Sequence, residues 1–348
     1  MHARVIDLLN RALIPFDAAV VRRSSFLARF KTYNDKNRFV EGPIPQDAVE
    51  RLRPHNPELM DYKRRYEGHP ATDHSVWKPE KLDRELNLAS FRADNAYIWQ
   101  MREMDDVLVD YAFATLYVEA IDKLGLFRKL DEDGSFGAVA LKMDDGKIVS
   151  RDLLDSIIEI NLLERYLSLS RMPSVSILDI GAGYGRLAHR LVKSLPTIRA
   201  VLCVDAIPES TFLCQYYLRY RGVLDRAKVI PLDMIEKALD TYQVDIVTNI
   251  HSFQECTVKT ISWWLNTISK CRPKYFLLAH YADELLSAEL DGTKKDFRPL
   301  IEMRGFELVE KEPVYAPGSL ASRYGLYPKR WYYLFRNDSW NLEASTSH

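Results

Sequence analysis

The chain has little of what staples, anchors or strongly charges a protein. It has only four cysteines in 348 residues, Cys203, Cys214, Cys256 and Cys271, and no Cys-x-x-Cys pair. Neither a disulfide framework nor a zinc site is expected, and reduced thiols in the cytoplasm are. No apolar run approaches the ~18 residues of a membrane span. Lysine and arginine (48) nearly cancel aspartate and glutamate (49), so no overall field draws the chain to nucleic acid or to acidic substrates. There is no internal repeat and no low-complexity tract. Glycine is scarce too, 14 residues in all, yet Gly181, Gly183 and Gly185 fall within five positions.

That cluster is the strongest signal in the chain. Ile177-Leu178-Asp179-Ile180 reads as a buried strand that breaks at Gly181-Ala182-Gly183-Tyr184-Gly185. Leu187, Ala188, Leu191 and Val192 follow at helical spacing. A second apolar run, Ala200 to Val204, ends in Asp205, with Ala206 beside it. Strand, glycine turn, helix, strand and terminal carboxylate make the nucleotide-gripping half of a doubly wound sheet. The turn needs glycine because a Cβ blocks both positive φ and close approach of a ligand. Asp205 falls where a carboxylate accepts hydrogen bonds from both hydroxyls of a ribose. A dinucleotide fingerprint would want its third glycine at position 186, which is Arg186. The G-x-G-x-G form with Asp179 before it resembles the first motif of class I S-adenosylmethionine-dependent methyltransferases. That resemblance implies S-adenosylmethionine, with Asp179 holding the ammonium of its methionine moiety. A pyrophosphate in the same place would be repelled.

The length allows one domain of ordinary size plus an appendage, and the pattern divides near residue 172. Residues 1–74 read as an irregular arm with proline-bounded segments such as Gly42-Pro43-Ile44-Pro45. Arg4, Arg11, Arg22, Arg23 and Arg29 surround an apolar stripe at its start. Asp7 and Asp17 interrupt that stripe, so an amphipathic helix packed on the body or on a second subunit is expected, which leaves a homodimer open. Residues 75–171 read as a mainly helical lid or substrate region, with Asp144-Asp145-Gly146 as a turn. Residues 172–348 alternate strands and helices. Beyond the two strands named, Lys228–Leu232 is a third, Val244–Ile250 a fourth, Tyr275–Ala279 a fifth, Phe306–Val309 a sixth and Trp331–Phe335 a seventh. The expected fold is α/β, the class I methyltransferase Rossmann-like sheet of seven strands with the last antiparallel. Asp233, with Met234 after it, stands where this architecture meets the adenine amino group; a helix N-cap would use the same carboxylate.

Asn249-Ile250-His251-Ser252-Phe253-Gln254-Glu255 ends the fourth strand. Ligands of open α/β sheets sit outside the carboxyl ends of strands near the point where strand order reverses. His251 is therefore expected to face the transferred methyl as general base, with Glu255 orienting it. Asn249 falls on the cofactor side and Ser252 on the acceptor side. The Asn/Asp-Pro-Pro-Tyr motif of methyltransferases acting on base amines is absent here, as is the glutamate pair of protein arginine methyltransferases.

Over residues 75–336 the chain resembles the sugar O-methyltransferases typified by the nanchangmycin deoxysugar enzyme. The carriers are residues 91–100, Asp155 to Ile160, the glycine loop, residues 249–255 and residues 323–328. The resemblance implies an O-linked acceptor on a sugar or glycoside. Arg92, Tyr97 and Gln100 would form a lid over cofactor and sugar, or pack the helical region on the sheet. Asp155 and Glu159, one helical turn apart, are read either as a solvated face or as ligands of a cofactor or of Mg2+. A phenolic or polyketide acceptor and a non-catalytic Rossmann binding protein stay open. Residues 1–74 lie outside the resemblance, and every cofactor candidate lies beyond residue 90, so the arm is expected to be dispensable for cofactor binding.

Overall fold

The computed structural model describes residues 2–16, 20, 39–73, 76–93, 107–143, 145–326 and 329–337. The chain folds into two compact units that interleave in sequence: residues 1–49, 89–161 and 314–328 in one, residues 50–88, 162–313 and 329–348 in the other. A linear division at residues 74 and 171 is therefore not the one the fold makes. The arm itself splits, because the helix Pro57–Tyr66 buries Leu59, Tyr62 and Tyr66 within the sheet-bearing unit.

The first unit contains a small antiparallel sheet of β1 (Phe39–Val40), β2 (Ala140–Lys142) and β3 (Ile148–Ser150). Its β2–β3 turn is the expected one: Gly146 takes φ +86° and Lys147 N donates to Asp145 Oδ1 at 3.0 Å. The helix His2–Leu13 does not bury its apolar face. Leu8 is 72% exposed, and Phe16, just beyond the helix, 77%. The expectation that this segment packs on the body is not met.

The second unit is built on a sheet of β4 (Val175–Ile180), β5 (Ile198–Val204), β6 (Ala227–Val229), β7 (Ile246–Ile250), β8 (Tyr275–His280), β9 (Phe306–Pro313) and β10 (Trp331–Asn337). Their spatial order is β6-β5-β4-β7-β8-β10-β9. All neighbours are parallel except β10, which runs antiparallel to β8 and β9. This is the α/β sheet with a reversed final strand that the sequence implied. All six residues of β4 are buried, as befits a central parallel strand covered on both faces. Truncating Ile177 or Leu178 to alanine there would cost about 2–5 kcal/mol. The third strand is shorter than expected. Pro231 has no N–H to continue the ladder, and the chain turns into a short 3-10 segment, Leu232–Met234. Strand order reverses between β4 and β7, which sets the crevice at their carboxyl ends.

Candidate functional site

β4 ends in the glycine turn because the backbone there leaves ordinary φ space: Gly181, Gly183 and Gly185 take φ +72°, +58° and +86°. A Cβ on Gly181 would stand 2.3 Å from Cβ of Ser252, and one on Gly185 2.9 Å from Sγ of Cys214. Conformation and close approach thus both require glycine. The turn hangs on the end of β5, where Gly181 N and Ala182 N donate to Val204 O at 2.9 and 3.2 Å. Gly183 N donates to Asp205 Oδ2, and Ile207 N to Asp205 Oδ1, both at 2.9 Å. Burial pushes the Asp205 carboxyl up to about 6, against the pull of those N–H donors. Asp179 is also buried and accepts from Thr248 Oγ1 at 2.7 Å. Two carboxylates and a row of backbone N–H groups therefore line the carboxyl ends of β4 and β5, with Ala206 half-buried beside them.

Asp233 is not a helix cap. Its carboxylate takes a bidentate contact from Arg65, with Nη2 at 2.7 Å from Oδ1 and Nε at 3.0 Å from Oδ2. Met234 after it is 38% exposed. The Arg65 contact links the arm directly to a predicted cofactor residue, although the arm was expected to be dispensable for cofactor binding.

The end of β7 is organised differently. Asn249 was expected to touch cofactor; instead its Nδ2 donates to Ile180 O at 3.0 Å and its Oδ1 accepts from Phe253 N at 2.9 Å. It braces β7 against β4 because its amide supplies the donor and acceptor that the turn needs. His251 takes φ +66°, rare for a residue with a Cβ, and a strain of this kind, about 1–3 kcal/mol, concentrates at functional positions. Its ring stacks on Tyr281 with centroids 4.3 Å apart and planes 10° apart. Arg330 Nε donates to His251 Nε2 at 3.3 Å. The expected His251–Glu255 pairing is not formed: Glu255 Oε2 accepts instead from the indole N–H of Trp77 at 2.6 Å. Burial pushes the Glu255 carboxyl up to about 7, with the charge of Asp205 adding to the rise and Trp77 opposing it. Ser252 lies over the glycine turn, against Gly181.

The remaining predictions fall in the other unit or outside the described residues. Tyr97 and Gln100 lie outside them. Arg92 is fully buried and donates to Glu132 at 2.7 and 3.1 Å, to Asp152 at 3.2 Å and to Ser135 O at 3.2 Å. A substrate-facing role for it is corrected by this network, in which the guanidinium neutralises two buried carboxylates. Asp155 and Glu159 do not form an exposed face, being 6% and 0% exposed, and Asp155 pairs with Arg151 at 3.3 Å. Among the described residues no three His, Cys, Asp or Glu side chains gather to hold a metal ion, and none of their helices is long and apolar enough to cross a membrane. The four cysteines are free.

Sequence reasoning missed Trp77, Arg65, Tyr281 and Arg330. Arg65 comes from the arm and Trp77 from just beyond it, and both reach the sheet across large separations, so no local spacing marks them. Tyr281 and Arg330 follow directly on the end of β8 and precede β10, positions that only the strand order makes adjacent to β7.

No family model matches the chain, and no curated protein matches its sequence. Among solved structures it is similar to an S-adenosylmethionine-dependent methyltransferase from Clostridium acetobutylicum ATCC 824, at 13% identity over 52% of this chain and 89% of that one, TM-score 0.38. It is also similar to magnesium protoporphyrin IX methyltransferase from Synechocystis PCC 6803, crystallised with S-adenosylmethionine, at 12% identity over 65% and 97%, TM-score 0.39. The [4+2]-cyclase SpnF is similar at 13% identity over 54% and 82%, TM-score 0.39. At such scores these likenesses decide neither activity nor substrate, and the reading of the fold rests on the strand order itself.

Proposed function

We propose that the chain is an S-adenosylmethionine-dependent O-methyltransferase acting on a hydroxyl of a sugar or glycoside. The observation that carries the cofactor reading is Asp205, a buried carboxylate at the end of β5 clasped by the N–H of Gly183. The residues fit the cofactor. Gly181 to Gly185 offer backbone close to the crevice, Asp179 offers an anion for an ammonium, Asp205 offers acceptors for two ribose hydroxyls, and Asp233 lies beyond β6 on the adenine side. Bound there, the cofactor supplies an electrophilic sulfonium methyl.

The sugar reading rests on the motif resemblance and on the groups at the end of β7. A sugar hydroxyl is a weak nucleophile until a base takes its proton, and in-line transfer needs the acceptor held at contact distance. His251 takes the proton at Nε2, which requires that the acceptor hydroxyl replace Arg330 as its hydrogen-bond partner. Arg330 then faces the imidazole as a cation that favours rapid loss of the proton after transfer. The flat Tyr281 ring fixes the imidazole plane, and its 46% exposure leaves a surface for a sugar ring. Glu255 is a second acceptor of protons in the same element, since a carboxyl raised to about 7 changes charge at neutral pH.

Calorimetry with S-adenosylmethionine and S-adenosylhomocysteine tests the first half of the reading, and methyl transfer to glycosides and phenols in parallel tests the second. A folded protein that binds neither cofactor form overturns it. Turnover with phenols alone moves the acceptor class to phenolic compounds.

A further inference from the structure

The helix Pro57–Tyr66 precedes the glycine turn by more than a hundred residues, yet its last turn is bonded to both loops that would flank an adenine. Tyr66 is 2% exposed. Leu232 N–H donates to its phenolic oxygen at 2.8 Å, and the same hydroxyl shares a hydrogen bond with the Thr211 hydroxyl, oxygen to oxygen 2.9 Å. Leu232 opens the 3-10 segment that carries Asp233 and Met234, and Thr211 lies in the first turn of the helix Pro208–Tyr220 that follows Asp205. One hydroxyl thus fixes the spacing between the β5 loop and the β6 loop. Two ion pairs repeat the connection on either side: Lys63 Nζ lies 2.8 Å from Oε1 of the buried Glu209, and Arg65 holds Asp233 bidentately.

We propose that this helix is part of the cofactor site, completing its adenosine end, with Tyr66 setting the gap between the two loops and Arg65 aiming Asp233 at the adenine amino group. The inference rests on the methyltransferase reading above and deepens it. Asp233 keeps acceptor capacity for this task, because each carboxylate oxygen has two lone pairs and its side chain is 29% exposed. A bidentate guanidinium fixes the carboxylate plane in a way that a lysine would not. The role is one of positioning: neither Tyr66 nor Arg65 need touch the transferred methyl.

The probes are adenosine and S-adenosylhomocysteine, measured by calorimetry on the full chain, with methyl-transfer kinetics alongside. Loss of one well-placed hydrogen bond at the site weakens binding by about tenfold. Tyr66→Phe is expected to weaken both probes by that factor alike and to raise KM for S-adenosylmethionine, with the loss falling on KM rather than kcat. Arg65→Ala is expected to weaken adenosine several-fold, and Arg65→Lys to restore only part of it. Because Arg65 is at the surface, its variants report even where Tyr66→Phe fails to fold. Unchanged adenosine affinity in both folded variants overturns the proposal. So does a loss for S-adenosylhomocysteine that spares adenosine, since the effect then lies elsewhere. Tighter adenosine binding by Arg65→Ala also overturns it, by showing that Arg65 competes for Asp233. If the unaltered protein binds S-adenosylhomocysteine but these variants bind like it, only this inference fails; if the unaltered protein binds neither probe, the methyltransferase reading fails with it.

Discussion

The two sides of the crevice are built on different principles. At the glycine turn on the cofactor side, the geometry follows from the backbone. Positive φ at three glycines makes the turn, and Asp205 is fixed by N–H groups two and 22 residues away. On the acceptor side, the partners of the reactive side chains come from a distance. His251 meets Arg330 across 79 residues, Gln254 meets Tyr281 N across 27, and Glu255 meets Trp77 across 178. A turn that backbone stereochemistry dictates folds the same way wherever it is placed. A set of side chains gathered by tertiary packing can change while the sheet stays the same. The cofactor side therefore holds the feature common to many chemistries, and the acceptor side holds what would make this chain's chemistry its own.

The sharpest break in that comparison is His251→Ala. If His251 takes the acceptor's proton, turnover should fall by ~10²–10⁴-fold with cofactor affinity nearly unchanged. The wild-type rate should rise with pH through the imidazole titration, since only the neutral ring accepts a proton, and that limb should vanish in the variant. Rapid-quench methyl transfer over a pH series gives both readouts. A phenol acceptor, being far more acidic, should lose much less. Near-normal turnover on a glycoside would remove His251 from the reaction.

Asp205→Ala tests the other side. Removing an acceptor for two ribose hydroxyls should weaken S-adenosylmethionine by roughly ten- to a hundredfold, as a hydrogen bond to a charged group is worth ~1.5–3 kcal/mol. The pH dependence has a definite sign. The folded-state carboxyl, raised to about 6, holds its proton more tightly than the unfolded chain does. The ligand-free protein should therefore lose stability as pH rises from about 4 to 6, by up to about 3 kcal/mol, and keep that deficit above 6. Cofactor affinity should move the opposite way and fall as pH drops below about 6, where the acceptor is neutralised. Thermal unfolding from pH 4 to 8 checks this against Asp205→Ala, in which this part of the slope should be absent.

The same contrast explains what the sequence could show. The strands and the glycine turn were legible because apolar runs, the glycine cluster and the terminal carboxylates follow local periodicity, whereas the reversed final strand was implied only by the resemblance to the methyltransferase sheet. The turn between β2 and β3 was legible for the same reason: an Asp-Gly pair carries its own geometry. Asn249 and Arg92 were read as binding groups because their chemistry suits ligands, but that chemistry equally suits bracing a strand end and neutralising buried carboxylates. Only the positions of Ile180 and Phe253, or of Glu132 and Asp152, decide between the two uses. Trp77 could not be placed at all, since a tryptophan just beyond a proline-rich arm gives no sign of which strand end it will reach.

Trp77→Phe carries the smallest expected effect and addresses the acceptor side most directly. The indole N–H donates to Glu255 at 2.6 Å and so favours the ionised carboxylate in a setting that otherwise opposes it. Phenylalanine keeps most of the apolar contact and removes the donor, so the carboxyl should climb further from about 7, by about one unit. The carbonyl stretch of the protonated carboxyl, followed by infrared titration and assigned with Glu255→Gln, reads that shift directly. If Glu255 shares the proton-accepting task, turnover near neutral pH should drop by about three- to tenfold, since the ionised fraction falls by that factor, and should recover as pH is raised by about one unit. Glu255→Gln should then lose the same limb without recovery at any pH. A titration that shifts while the rate profile stays still would show Glu255 to be a bystander, leaving the chemistry of this side to His251, Arg330 and Tyr281.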